Sequence, residues 1–222
     1  MKRILIFLIV VASSLTSFGQ LISERTDNKI TIGFDIFTDF QLVYPEYYNP
    51  RTINQGFSSA LTYNFPLGNS EKHTVALGLG VTSHNYYSKN RIANPYADTL
   101  TFISMKDNEN FKRYKINPTY LDIPLELRFR TDNGFKFGVG FKFGILVWAK
   151  TKYIGDNVMG QRVYEKYSKI NGLEKYVYST TLRVGYKWIS LFAAYQMSRV
   201  YEPNTNGPAI LPLSVGVTIA PF

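Results

Sequence analysis

Cysteine is absent from the 222-residue chain, which excludes a disulfide framework and any thiolate metal site. Histidine occurs only twice, at 73 and 84, and no cofactor-binding or metal-binding motif is built around either. Long apolar runs are also missing: beyond residue 19 no stretch of about 18 residues is hydrophobic enough for a membrane helix, so a membrane-embedded form must cross with strands. Low-complexity tracts and dense negative charge are lacking too, and a chain that is 45% hydrophobic with 17 Tyr and 16 Phe is expected to fold. Its length favours one domain over two.

The formal net charge is +9. Such a balance suits nucleic acid or anionic lipid head groups, and the N-terminus decides between them. Lys2 and Arg3 precede an unbroken apolar run over residues 4–12, and Ser17-Phe18-Gly19 places small residues at both positions a signal peptidase reads. That run is too short to span a bilayer as a helix. We therefore expect a signal peptide over residues 1–19, cleavage between Gly19 and Gln20, and one β-barrel domain over 20–222. Without Lys2 and Arg3 the 25 basic residues fall to 23 against 16 acidic, a mature charge of +7. Export makes lipid, not nucleic acid, the expected partner.

Period-2 alternation recurs from residue 30 onward and predicts strands with two unlike faces. Over 135–150, Phe135, Phe137, Val139, Phe141, Phe143, Ile145, Val147 and Ala149 share one parity, while Lys136, Gly138, Gly140, Lys142, Gly144, Leu146, Trp148 and Lys150 share the other. The preceding stretch sets Leu121, Ile123, Leu125, Leu127 and Phe129 against Asp122, Pro124, Glu126, Arg128 and Arg130. Asn133-Gly134 between them is hairpin-turn chemistry. Six more segments, beginning near residues 30, 60, 75, 176, 189 and 211, follow the same rule, although Phe37 interrupts the polar set of the first. Short links near 68–72, 131–134 and 188–190 alternate with long ones, which gathers the short turns at one end. The expected fold is all-β, an eight-stranded antiparallel up-and-down transmembrane β-barrel.

A soluble barrel would turn its apolar set inward. The glycines argue against it: Gly33, Gly78, Gly80, Gly138, Gly140, Gly144, Gly185 and Gly216 all fall on the polar parity, where they make room inside a narrow barrel and would weaken a solvent face. Tyr44, Tyr86, Tyr153, Tyr176, Tyr186 and Trp188 lie near strand ends and suit two interfacial girdles.

The segment Tyr120-Leu121-Asp122-Ile123-Pro124-Leu125-Glu126-Leu127 resembles the Tyr-Leu-Glu-Ile-Pro-Leu strand of the PorT-like outer-membrane β-barrel family of Bacteroidota. Asp122 stands where that family usually has Glu. The leader ending Phe18-Gly19-Gln20 and the strand layout are similar too, over most of the mature chain. This resemblance implies a bacterial outer-membrane location. The type IX secretion role of the family's name-giving member has no matching functional residues here.

The inward parity carries Asp35, Asp39, Glu126, Arg128, Arg130, Lys136, Lys142, Arg183 and Lys187. They could line a pore or hold an anionic ligand, but side chains nearly fill an eight-stranded barrel, so a mutually paired polar plug is expected. Trp148 shares that parity and is expected to cap the plug. A lipid hydrolase would need His84 beside a serine and a carboxylate, and neither Ser83 nor Ser88 stands at a recognisable spacing. Gly138-Val139-Gly140 with Gly144 does not make a dinucleotide loop, because the third glycine is one residue late and the segment is a strand. The link over 89–119 carries Lys89, Arg91, Lys106, Lys112, Arg113 and Lys115 against Asp98, Asp107 and Glu109, which reads equally as a basic outer surface facing lipopolysaccharide phosphates or a partner and as a solvated loop with a few salt contacts. The expectation is a non-enzymatic barrel without cofactor. Its role is envelope-structural or partner-binding through the loops, with outer-membrane lipid, lipopolysaccharide and an envelope protein as partners. A narrow channel or small-ligand transporter, a type IX secretion accessory and a lipid-modifying enzyme are the alternatives.

Overall fold

Tight reversals organise the chain. Gly68 and Gly134 take φ of +70° and +86°, and Lys187 takes +51°, so the connections at 68–69, 131–134 and 187–188 turn back at once and make their flanking strands antiparallel neighbours. A computed structural model describes residues 29–105, 110–156 and 160–220; the expected signal peptide lies outside them. Among these residues twelve strands form: β1 (Ile30–Val43), β2 (Gln55–Leu67), β3 (Ser70–Ser83), β4 (Tyr86–Ser88), β5 (Asn90–Ile92), β6 (Phe102–Ser104), β7 (Arg113–Arg130), β8 (Phe135–Asp156), β9 (Arg162–Tyr167), β10 (Tyr176–Tyr186), β11 (Ile189–Gln196) and β12 (Leu211–Ile219). A 3₁₀ turn covers Pro203–Thr205, and no α-helix occurs among the described residues.

Eight of these strands close a ring in the order β1, β2, β3, β7, β8, β10, β11, β12 and back to β1, every pairing antiparallel. Closure gives each of these eight strands a partner on both sides. The expected eight-stranded barrel is thus present, and the four extra short strands belong to the long links. β7 and β8 run to 18 and 22 residues. Their far ends carry β4 and β9 on either side.

The large apolar side chains face outward: Ile36, Leu61, Leu79, Leu125, Phe137, Val139, Val184 and Leu191 are all exposed, while their polar and glycine neighbours in sequence turn into the lumen. On β8 this belt extends from Phe135 to Val147. At about 3.3 Å per residue and a tilt of about 40° it is roughly 30 Å tall, the thickness of a bilayer's hydrocarbon core. His73 lies in β3 on the outer face against Phe129.

One irregularity resets the parity. Thr119 pairs with Trp148 and Tyr120 with Leu146, so Val147 is bulged out of the β7–β8 ladder. Beyond it Ala149, Thr151 and Tyr153 turn inward and are buried, while Trp148 and Lys150 turn out and are exposed. Trp148 therefore does not cap the lumen, and Tyr153 does not join a girdle. Tyr86 is not a girdle residue either: it keeps the inward parity of Thr82 and His84 and is buried. Tyr44, Tyr176, Tyr186 and Trp188 do face outward and are exposed.

Candidate functional site

The lumen holds a connected ionic network. Arg183 on β10 donates through Nη2 to Asp35 Oδ2 at 2.9 Å, through Nη1 to Glu126 Oε1, and through Nε to Thr218 Oγ1 at 3.1 Å. Asp35 also accepts from Ser58 and Thr218 hydroxyls, each at 2.6 Å. Glu126 accepts from Arg128 Nε at 2.6 Å, and Arg128 reaches on to Asn64 Oδ1 at 2.8 Å. Nearer the long links, Lys142 lies 3.4 Å from Asp122 Oδ2 and donates to Thr82 Oγ1 at 3.0 Å. Asp39 takes the Ser214 hydroxyl on one oxygen and His84 Nδ1 at 2.8 Å on the other. Four buried carboxylates thus each meet cations or hydroxyls from other strands, as burial of charge requires.

Glycine supplies the space. A Cβ on Gly138 would press on the Glu126 carboxylate, one on Gly144 would crowd Asp122 and Val177, and one on Gly140 would meet Thr181. Gly78, Gly80, Gly185 and Gly216 would drive a Cβ into neighbouring strand backbone. Gly33 has open space, because it lines a cavity at the short-turn end together with Arg128, Arg130 and Lys136. Lys187 is not in the lumen: it occupies the left-handed corner of the 187–188 turn, exposed over the Tyr186 ring.

An aromatic cluster, which charge patterning alone did not reveal, occupies the middle of the lumen. Phe37 and Phe192, both on polar parities, pack with ring centroids 6.0 Å apart. Phe37 also meets His84 edge-on at 5.4 Å, and His84 stacks on Tyr86 at 5.4 Å. Gly56 faces Phe37 so closely that any Cβ there would collide with its ring. The signal available in the sequence was the interruption at Phe37 opposite glycines on both neighbouring strands.

Above the lumen the long links fold together. Tyr48, Tyr86, Ile92, Leu100, Tyr114, Ile116, Ala149, Tyr153, Ile170, Leu173, Val200, Tyr201 and Ile210 form one buried apolar cluster. Backbone bonds tie links to one another: Lys89 N to Asn49 O at 2.9 Å, Leu100 N to Thr205 O at 2.8 Å, and Asn171 N to Pro95 O at 2.8 Å. The buried Asn90 accepts from Asn49 N and donates to Tyr47 O. Arg91, expected on a basic outer surface, instead pairs with Glu165 of β9 and lies 4.2 Å over the Tyr153 ring. Burial pushes the Tyr48 hydroxyl pKa up to about 12, the Ser88 hydrogen bond opposing it, and lifts that of Tyr201 well above the usual value. Lys106, Asp107 and Glu109 lie outside the described residues.

Among the described residues Asp39 stands between His84 and Ser214, holding the imidazole Nδ1 on one oxygen and the hydroxyl on the other; Ser88 donates to Asn90 O, and Ser83 accepts from Asn117.

An outer membrane protein β-barrel domain model matches residues 18–198. No curated protein sequence matches. Two crystal structures of Ail, the attachment invasion locus protein of Yersinia pestis, are similar. The first has 13% identity and TM-score 0.36, and the second, a complex with the heparin analogue sucrose octasulfate, has 14% and 0.32. Each alignment covers 86% of this chain and 96% of Ail. With a closed ring, an apolar exterior and a match over most of its length, this chain belongs to the outer membrane protein β-barrel domain family and resides in the outer membrane.

Proposed function

We propose that this protein is a non-enzymatic barrel that holds a folded cap at the cell surface for binding a partner. The observation that carries this reading is the shared apolar core of the long links, with Tyr48, Ile92 and Leu100, Ile170, and Tyr201 drawn from four links. Connections that only joined strands would need no such core, whereas a rigid cap presents a surface with little entropy left to lose on binding. Tyr47, Tyr96 and Ile103 remain exposed on that cap and supply apolar contact area. The paired lumen and the Phe37–Phe192 pair favour anchoring over conduction, and the hold of the Asp39 carboxylate, in place of a hydroxyl, on His84 Nδ1 favours a non-catalytic role. The PorT-like subgroup of Bacteroidota is the narrower family reading, supported by the segment over 120–127; a secretion accessory role follows from that resemblance alone.

Photo-crosslinking groups placed at positions 96 and 103 in living cells test the proposal. A discrete adduct lost in Tyr47→Ser is expected. No adduct at either position, or stepwise conductance of the purified barrel in planar bilayers, would overturn it.

A further inference from the structure

The side wall above the apolar belt carries a second feature. Lys115, Lys152 and Lys166 stand directly opposite one another on β7, β8 and β9. Lys150 lies on the same outer face, two residues nearer the belt. Neighbouring strands are about 4.8 Å apart, well inside the screening length of about 8 Å in physiological salt. Like charges in direct register weaken a sheet.

Among the described residues none of the four forms a salt bridge with a carboxylate; Glu165 is taken by Arg91 and Asp156 by Arg162. Their neighbours are aromatic: Lys150 Nζ is 4.5 Å from the Trp148 ring, and Lys152 and Lys166 are 4.5 and 5.3 Å from that of Tyr164. Lys115 donates to Asn85 Oδ1 at 2.6 Å. A sheet face that gathers four ammonium groups without a carboxylate is complementary to a multiply charged anion.

Height selects the anion. Val147 and Trp148 end the exposed belt on β8, and Trp148 occupies the interfacial level that indole favours. Lys150 and Lys152 follow within roughly 5–15 Å along the strand, in the head-group layer that flanks the hydrocarbon core. A soluble anion could be met anywhere on the cap, whereas this array is confined to the wall beside the lipid.

We infer that Lys115, Lys150, Lys152 and Lys166 dock the phosphate groups of an outer-leaflet lipid, with Trp148 seated at the interface beneath them. The inference rests on the outer-membrane location and is independent of what the cap binds. It also moves lipid contact away from most of the basic residues of the 89–119 link, of which only Lys115 joins the array.

The test uses the full mature chain folded in phosphatidylcholine nanodiscs, with bound lipid counted by native mass spectrometry. A bis-phosphorylated glycolipid is titrated against its dephosphorylated form. The phosphorylated lipid is expected to bind in preference, and the triple variant Lys150→Gln/Lys152→Gln/Lys166→Gln should weaken it on the order of 100-fold, at about fivefold per lysine. The corresponding triple arginine variant should retain binding, and Lys169→Gln/Lys175→Gln, which removes charge elsewhere, should leave it unchanged. Heat-modifiable gel mobility verifies that each variant is folded. Equal binding of the two lipid forms, or equal loss in the Lys169/Lys175 control, would overturn the inference. So would lysine-dependent binding of inorganic phosphate or a sulfated polysaccharide that displaces the lipid, since the site would then serve a soluble anion.

Discussion

Arg183 is the residue on which the lower lumen turns, and its replacement tests the plug. Arg183→Met keeps the unbranched stem against Phe192, whose ring centroid lies 4.7 Å from the guanidinium, but removes the donors to Asp35, Glu126 and Thr218. Taking one partner from a buried ion pair costs about 3–5 kcal/mol because the remaining charge is left uncompensated. Here Glu126 retains Arg128, and Asp35 retains two hydroxyls, so the lower end, about 3 kcal/mol, is expected. Urea titration of the barrel refolded into lipid vesicles, followed by tryptophan emission and heat-modifiable mobility, measures it. Adding Asp35→Asn to Arg183→Met neutralises the one carboxylate left with hydroxyls alone and should recover at least ~1 kcal/mol. A loss below about 0.5 kcal/mol in the single variant, or additive losses in the double, would refute the paired network as the reason these charges lie inside.

Gly56→Ala should destabilise the barrel by about 1–3 kcal/mol by overpacking against the Phe37 ring, and Phe37→Ala in the same chain should relieve the clash, as judged by the same titration. Alkaline pH should loosen the cap. Because burial raises the folded-state pKa of Tyr48 from 10.0 to about 12, its contribution is complete below pH 10 and lost as pH climbs to about 12. The total is about 3 kcal/mol, visible in near-UV circular dichroism and reduced in Tyr48→Phe. In a Trp188→Phe background, brominated lipids should quench Trp148, and protection from quenching would contradict the parity switch at Val147.

The eight barrel strands were readable because a closed barrel in lipid imposes two solvents on one strand. Hydrocarbon outside and a crowded polar interior within force the strict alternation seen at Phe135, Phe137 and Val139 against Lys136, Gly138 and Gly140. The short turns were equally legible, since Asn133-Gly134 announces its positive φ. Legibility failed where the alternation is reset or abandoned. The bulge at Val147 comes from the pairing of β7 with β8, and nothing local marks it, so Trp148 and Tyr153 were assigned to the wrong faces. Lys187 was misplaced for a related reason: parity has no meaning inside a two-residue turn.

Composition and periodicity by themselves determined that this chain crosses a membrane with strands, that the bulky apolar set of the regular strand stretches faces outward, and where glycine must stand, because each depends on a residue's own face and size. Only the tertiary structure decided which charges meet, that the long links condense on one apolar core, and that lysines from three strands share a register. Those outcomes depend on contacts between segments dozens of residues apart, such as Asp35 with Arg183 and Arg91 with Glu165, and no local pattern encodes the distance that folding closes.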